Sequence, residues 1–279
     1  MDKYHQYFIE SSDSTKLFIR SWECAKPKAV IAIVHGIGEY GFRYDSWAKM
    51  FVDNGFSVYT VDYRGHGRAE GKRGFVNSFD DLLNDVDAYL KHVSNKHQSV
   101  PLVLYGHSLG GNIVINYTLQ RKNIHNLLIA TSPWLDLHSP LPKPLLAVAK
   151  LLHKLFPNLI MNSTIKAKIL SHDKQVVKDY EDDEYVHPKV SLNLLFGGIE
   201  NAQYARNNAR NINIPMLLMH GTDDKATLFD ASKRFANDNT TNVSFVEWKG
   251  LYHELHNEFE KEDVFKSIIS WLNKKLLTK

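Results

Sequence analysis

One hydroxyl, one carboxylate and one imidazole stand where acyl-transfer chemistry could use them. Ser108 lies in Gly106-His107-Ser108-Leu109-Gly110-Gly111, after an apolar run at 101–105 and before a helix-like run at 112–120. A serine between glycines at a strand-to-helix turn reads as a nucleophile elbow, because missing Cβ atoms let the chain bend sharply and leave the hydroxyl exposed. Neutral serine is a poor nucleophile, so a base must take its proton. His253 can do so from the loop Lys249-Gly250-Leu251-Tyr252-His253, after a strand-like run at 243–248. The acid falls between them, where the run 216–220 ends in Gly221-Thr222-Asp223-Asp224. A carboxylate there can fix the imidazole tautomer and stabilise the imidazolium. The order serine, acid, histidine is that of one particular hydrolase scaffold. Upstream, the buried run 29–35 ends in His35-Gly36-Ile37-Gly38-Glu39. Such a loop supplies one backbone donor to an oxyanion and the residue after the nucleophile supplies the other, which assigns the hole to the N–H groups of Ile37 and Leu109.

These residues need a sheet to bring them to one edge. Strands are expected at 4–10, 16–22, 29–35, 57–62, 102–105, 126–131, 216–220 and 243–248. Helices are expected at 46–54, at 112–120 and near the C-terminus. A further helix carries Phe79, Leu82, Leu83, Val86, Tyr89, Leu90 and Val93 at steps of three and four. Strands alternating with helices predict an α/β protein with a mostly parallel sheet covered on both faces. The alternation stops after Pro133. Pro140, Pro142 and Pro144 follow, then a helix-like run at 145–156 halted by Pro157. Leu145, Val148, Ala149, Leu152 and Phe156 share one face of it, with Leu146 and Leu151 outside that face. It is more apolar than one buried face requires. Residues 139–170 hold five lysines and no acidic side chain. The expectation is a core of 1–133 and 214–279 with a helical cap, 134–213, inserted over the active edge.

The chain resembles the monoacylglycerol lipase and lysophospholipase branch of the α/β-hydrolases. The resemblance is carried by His35-Gly36-Ile37-Gly38-Glu39 with Arg43-Tyr44, Asp62-Tyr63-Arg64-Gly65-His66-Gly67, Gly71-Lys72-Arg73-Gly74, the Ser108 elbow, Gly221-Thr222-Asp223-Asp224 and Tyr252-His253-Glu254-Leu255-His256-Asn257-Glu258. It implies Ser108 as nucleophile, Asp224 rather than Asp223 as acid, and His253 rather than His256 as base. It also implies a cap enclosing an acyl tunnel, with Glu39, Arg43 and His256 lining a polar pocket for a glycerol head group. Ala69, where the family usually has Ser, and Phe42, where smaller residues are common, depart from its pattern. The implied activity is hydrolysis of monoacylglycerols, with lysophospholipids or small carboxylic esters as alternatives and peptides on the same scaffold.

Other classes fit less of the chain. Gly36-Ile37-Gly38-Glu39-Tyr40-Gly41 spells a dinucleotide fingerprint after a strand, with Asp62 ending the next. That reading of a nicotinamide oxidoreductase wants a helix at once and leaves Ser108, Asp224 and His253 idle. A non-catalytic binding protein on this scaffold would usually have lost a triad member. His253 and His256 are spaced i, i+3, not the i, i+4 of a zinc helix, so neither metal nor other cofactor is expected. Asp62, Arg64 and His66 are read as structural. Of the 279 residues, 34 are basic and 31 acidic, too balanced to suggest nucleic acid. The single cysteine, Cys24, the lack of an apolar leader and the lack of an apolar run of ~18 residues give a cytoplasmic expectation. Lysines beside an apolar cap helix would suit peripheral contact with a lipid surface.

Overall fold

A computed structural model describes residues 3–139, 142–163 and 165–277; Pro140 lies outside them. Eight strands form one sheet: β1 (Lys3–Glu10), β2 (Lys16–Glu23), β3 (Val30–Val34), β4 (Ser57–Asp62), β5 (Leu102–His107), β6 (Leu127–Thr131), β9 (Met216–Gly221) and β10 (Val243–Trp248). Two short strands, β7 (Ile160–Asn162) and β8 (Lys189–Ser191), pair separately. The large sheet runs β1-β2-β4-β3-β5-β6-β9-β10. β2 pairs antiparallel with β1 and β4, and every other neighbour is parallel.

The parallel strands read as continuous apolar runs because both faces are covered. Val30, Ala32 and Val34 enter one core and Ile31 and Ile33 the other. Helices α2 (Phe79–Lys96), α3 (Leu109–Gln120) and α7 (Phe229–Asn237) pack on the first face, and α1 (Asp45–Asp53) and α8 (Lys261–Leu277) on the second. Strand order reverses at β3, which lies between β4 and β5. The loops after β3 and β5 therefore diverge from adjacent strand ends, the place where open α/β sheets form their crevices.

Between β6 and β9 the chain leaves the sheet for α4 (Lys143–Leu155), β7, α5 (Lys174–Asp182), β8 and α6 (Leu192–Asn207). α4 corrects the expected face. Leu146, Ala149 and Leu152 pack on Leu192 and Phe196 of α6, whereas Leu145, Val148, Leu151, Leu155 and Phe156 are 48–60% exposed. The helix has apolar residues to spare, and the side that docks is the one where small Ala149 permits close approach.

Candidate active site

Ser108 sits between β5 and α3 with φ 55° and ψ −118°, a conformation costly for a residue with a Cβ. Its surroundings hold it there. Its N–H donates to Thr131 O, and its carbonyl accepts from Asn112 and Trp134. Gly110 lets α3 lie against the end of β3, since a Cβ there would meet Val34 O at 2.1 Å. α3 starts at Leu109, so that N–H is one of the helix's unpaired donors. Among the described residues, neither it nor the N–H of Ile37 donates to a protein acceptor. Ile37 and Ser108 line the same small cavity.

The loops after β9 and β10 bring the other two groups. The Ser108 hydroxyl lies 2.9 Å from His253 Nε2, and His253 Nδ1 lies 2.7 Å from Asp224 Oδ2. All three residues are buried, with Ser108 5% exposed. Burial disfavours the His253 imidazolium, but the Asp224 carboxylate outweighs it and holds the pKa above the usual histidine value. Burial likewise disfavours the Asp224 carboxylate, and His253 and His220 overcome it and hold its pKa well below the usual range. Asp223 is exposed and receives only the Thr222 hydroxyl. The structure therefore brings Ser108, Asp224 and His253 together and leaves Asp223 outside.

Two participants carry no signal in the one-dimensional pattern. His220, at the end of β9, places Nε2 3.0 Å from Asp224 Oδ2, while its Nδ1 lies 2.8 Å from the Ser232 hydroxyl of α7. Thr227 also donates to Oδ2, at 2.9 Å, and the N–H groups of Ala226 and Thr227 hold Oδ1. The second is Glu254, beside the base. Arg43 donates from Nη1 and Nη2 to both of its oxygens at 2.7 Å, and from Nη1 to Glu39 Oε2 at 2.6 Å. Glu39 Oε1 in turn accepts the Gly36 N–H at 2.6 Å, pinning the turn that carries Ile37.

Of the residues expected at a head-group pocket, Glu39 lines the cavity at Ser108, together with Glu254 and Tyr180 of α5. Arg43 stands behind it, its guanidinium engaged by the two glutamates and lying 4.7 Å from the centre of the Tyr180 ring. His256 also stands behind, stacked on Tyr44 and edge-on to His107. Burial pushes its pKa down to about 4. Neither of its ring nitrogens has a hydrogen-bond partner among the described residues.

The cavity at the Ser108 hydroxyl holds about 20 Å³, room for about one water. A larger one of about 240 Å³ adjoins it, sharing Ile37, Ile165 and Tyr180. A groove of about 450 Å³ between α1 and α8 contains none of these three residues. The segment before α5 and the base loop are stitched together, the Glu254 N–H donating to Leu170 O and the Ser171 hydroxyl to Asn257 O. On the other side the His187 N–H donates to Gly38 O, and Gly38 has φ 72° with no space for a Cβ against the His187 carbonyl. Asp62 accepts from Arg20, Gly41 and Arg68, and Arg64 pairs with Asp85 and Asp13, structural contacts that tie turns together.

A serine on a strained elbow at the switch point of a mostly parallel sheet, with aspartate after β9 and histidine after β10, defines an α/β-hydrolase. The chain belongs to the family described as Serine aminopeptidase, S33, which matches residues 25–260. It is similar to a monoacylglycerol lipase of Mycolicibacterium smegmatis, 31% identical over 251 residues that make up 88% of each chain. It is also 32% identical over 270 residues to an uncharacterized abhydrolase domain-containing protein of Dictyostelium discoideum; the match takes in 95% of this chain and 28% of that longer protein. Among solved structures, the monoacylglycerol lipase of Paleococcus ferrophilus superimposes with a TM-score of 0.83 at 28% identity, covering 98% of this chain and 99% of that one.

Proposed function

We propose that this protein hydrolyses carboxylic esters of lipids, monoacylglycerols foremost, through an acyl-enzyme. The observation that carries the reading is the unbroken chain from the Ser108 hydroxyl to His253 Nε2 at 2.9 Å and from Nδ1 to Asp224 at 2.7 Å. Ser108 Oγ attacks the ester carbonyl as His253 takes its proton. The carbonyl oxygen becomes an oxyanion, received by the N–H groups of Ile37 and Leu109, fixed dipoles that need no reorganisation. His253 then protonates the leaving alkoxide, and a water activated by the same imidazole releases the fatty acid.

The leaving alcohol lies against Glu39, Glu254 and Tyr180, which offer acceptors and a phenol to hydroxyls removed from water. The apolar chain occupies the space beneath residues 134–213, which act as a cap. The cavity at Ser108 is too small for a lipid in this conformation, so entry requires the cap to shift. The same machinery would cleave short esters or peptides, and substrate is the property that the scaffold leaves open. A panel of monoacylglycerols, lysophospholipids, triglycerides, short esters and peptides tests the assignment, with Ser108→Ala beside it. Monoacylglycerol turnover leads the panel and falls at least about 10⁴-fold in the variant. Retained turnover in Ser108→Ala, or preference for peptides or short soluble esters, refutes the reading.

The exposed residues of α4 supply the route to lipid. Leu145, Val148, Leu151, Leu155 and Phe156 face solvent next to exposed Lys150 and Lys154. An apolar stripe flanked by lysines suits the surface of an anionic bilayer. Among the described residues no helix is long and apolar enough to cross one.

A further inference from the structure

The proton transfers of ester cleavage make no use of the charge on Glu254, which lines the cavity at Ser108. Arg43 reaches in from behind the cavity, and its fork is taken: Glu254 occupies both Nη atoms and Glu39 shares Nη1. The three side chains are 9%, 3% and 3% exposed in the order Arg43, Glu39, Glu254, so water screens them little. Every polar partner of Glu39 (Gly36 N–H, Tyr44 OH and Arg43) is a donor, but burial outweighs them and raises its pKa, so Glu254 is the firmer of the two negative charges. Burial, with the charges nearby, holds the neighbouring imidazoles of His107 and His256 below the usual histidine range and hence neutral. The Glu254 carboxylate alone offsets the guanidinium, so the pocket presents no net positive charge to a ligand.

We propose that Glu254 determines specificity: by saturating Arg43 it denies a guanidinium to anionic head groups and reserves the pocket for uncharged hydroxyls. This rests on the ester-hydrolase reading of Ser108. A phosphate monoester needs a free bidentate donor or an unpaired ammonium. Here it would meet the Glu254 carboxylate instead, in a poorly screened site, and like charges brought together are a strong device for rejection. Monoacylglycerol and its phosphorylated counterpart share the acyl ester and differ only in the head group.

The test compares kcat/KM for 1-dodecanoylglycerol and 1-dodecanoyl lysophosphatidate, both below their micelle concentrations at pH 8, for the full chain, Glu254→Gln and Glu254→Asp. Wild type prefers the neutral ester by about 100-fold. Glu254→Gln, which keeps the shape but frees one arm of Arg43, narrows that preference at least about tenfold. Glu254→Asp, which keeps the charge, retains most of it. The ratio cancels any displacement of His253, which affects both substrates alike. Comparable turnover of the two esters by wild type overturns the proposal, as does a Glu254→Gln ratio equal to wild type. Should Glu254→Gln fail to fold, inhibition of the wild-type enzyme decides: glycerol inhibits better than glycerol 1-phosphate, and the reverse order overturns the inference. Absence of ester turnover by wild type overturns this reading and the hydrolase reading together, whereas equal turnover of both esters overturns only this one.

Discussion

Asp224 accepts five hydrogen bonds, from His253, His220, Thr227 and two backbone N–H groups. So many donors hold a buried carboxylate ionised and leave it one orientation. Asp223, one residue away, is bound by a single hydroxyl. Asp224→Asn is therefore expected to lower kcat about 10³- to 10⁴-fold, since an amide presents an N–H or a weaker acceptor to His253. Asp223→Asn stays within a few-fold. Equal losses, or the reverse order, would overturn the assignment of the acid. The same pairing fixes a pH limb. His253 works only when neutral, and Asp224 raises its pKa above the ordinary 6.5. The kcat/KM of wild type should thus fall as pH drops through a midpoint above 6.5, and a midpoint below 6 would contradict the pairing. That Ser108, Asp224 and His253 meet was legible because glycine turns and strand ends mark each of them locally. His220 and Glu254 were not, because what makes them matter is a partner: Ser232 and Asp224 for one, Arg43, 211 residues away, for the other.

At the scale of elements, runs such as 29–35 and 57–62 were readable because a strand buried on both faces is apolar throughout. Phe79–Lys96 was readable because one face is buried and the other wet. The insertion offered neither signal. α5 buries none of its residues completely, and its N-terminus rests on Asp173 accepting from Gln175. α6 is packed on several sides: Asn112 donates to Gly198 O, and Trp134 fills the space a Gly198 side chain would need. Helical periodicity fades when both sides are covered, and glycines inside a run argue against a helix. α7, nine residues long, was also missed. α4 was readable as a helix, but sequence alone cannot say which of its apolar residues meet α6. Those left exposed yield a prediction. Leu151→Ser with Leu155→Ser should reduce co-sedimentation with vesicles of phosphatidylglycerol and phosphatidylcholine at least about tenfold, since each exchange removes about 2 kcal/mol of apolar transfer. Turnover of a soluble short ester should change little, because neither residue packs on the triad. Unchanged vesicle binding would show that α4 is not the contact.

Across the whole molecule, the fold conceals histidines that it keeps neutral. His35, His125 and His256 are buried, and burial brings the pKa of each down to about 4. His66 and His107 are shifted in the same direction for the same cause. In the unfolded chain these imidazoles titrate near 6.5. Between pH 6.5 and 4 the unfolded state therefore binds protons that the folded state refuses, so stability falls as pH falls. By pH 5 each of the three with a pKa near 4 costs about 2 kcal/mol, and together they approach the whole stability of an ordinary domain. Glu39 works the other way, since burial raises its pKa and the folded state takes up that proton more readily. His253 and Asp85 are raised as well, which makes three groups against the five lowered histidines. Asp224 and Glu254, held below the usual carboxylate range, add their loss only at lower pH. The urea midpoint should accordingly drop by roughly 2 M between pH 7.5 and pH 5, with about 3 kcal/mol per molar as the denaturant slope. Activity assayed after return to pH 7.5 should recover, because the lost stability is protonation and not chemical damage. A midpoint that holds level or rises over that interval would mean that these imidazoles accept protons in place, and that the rings packed around His35 and His256 open to water without unfolding.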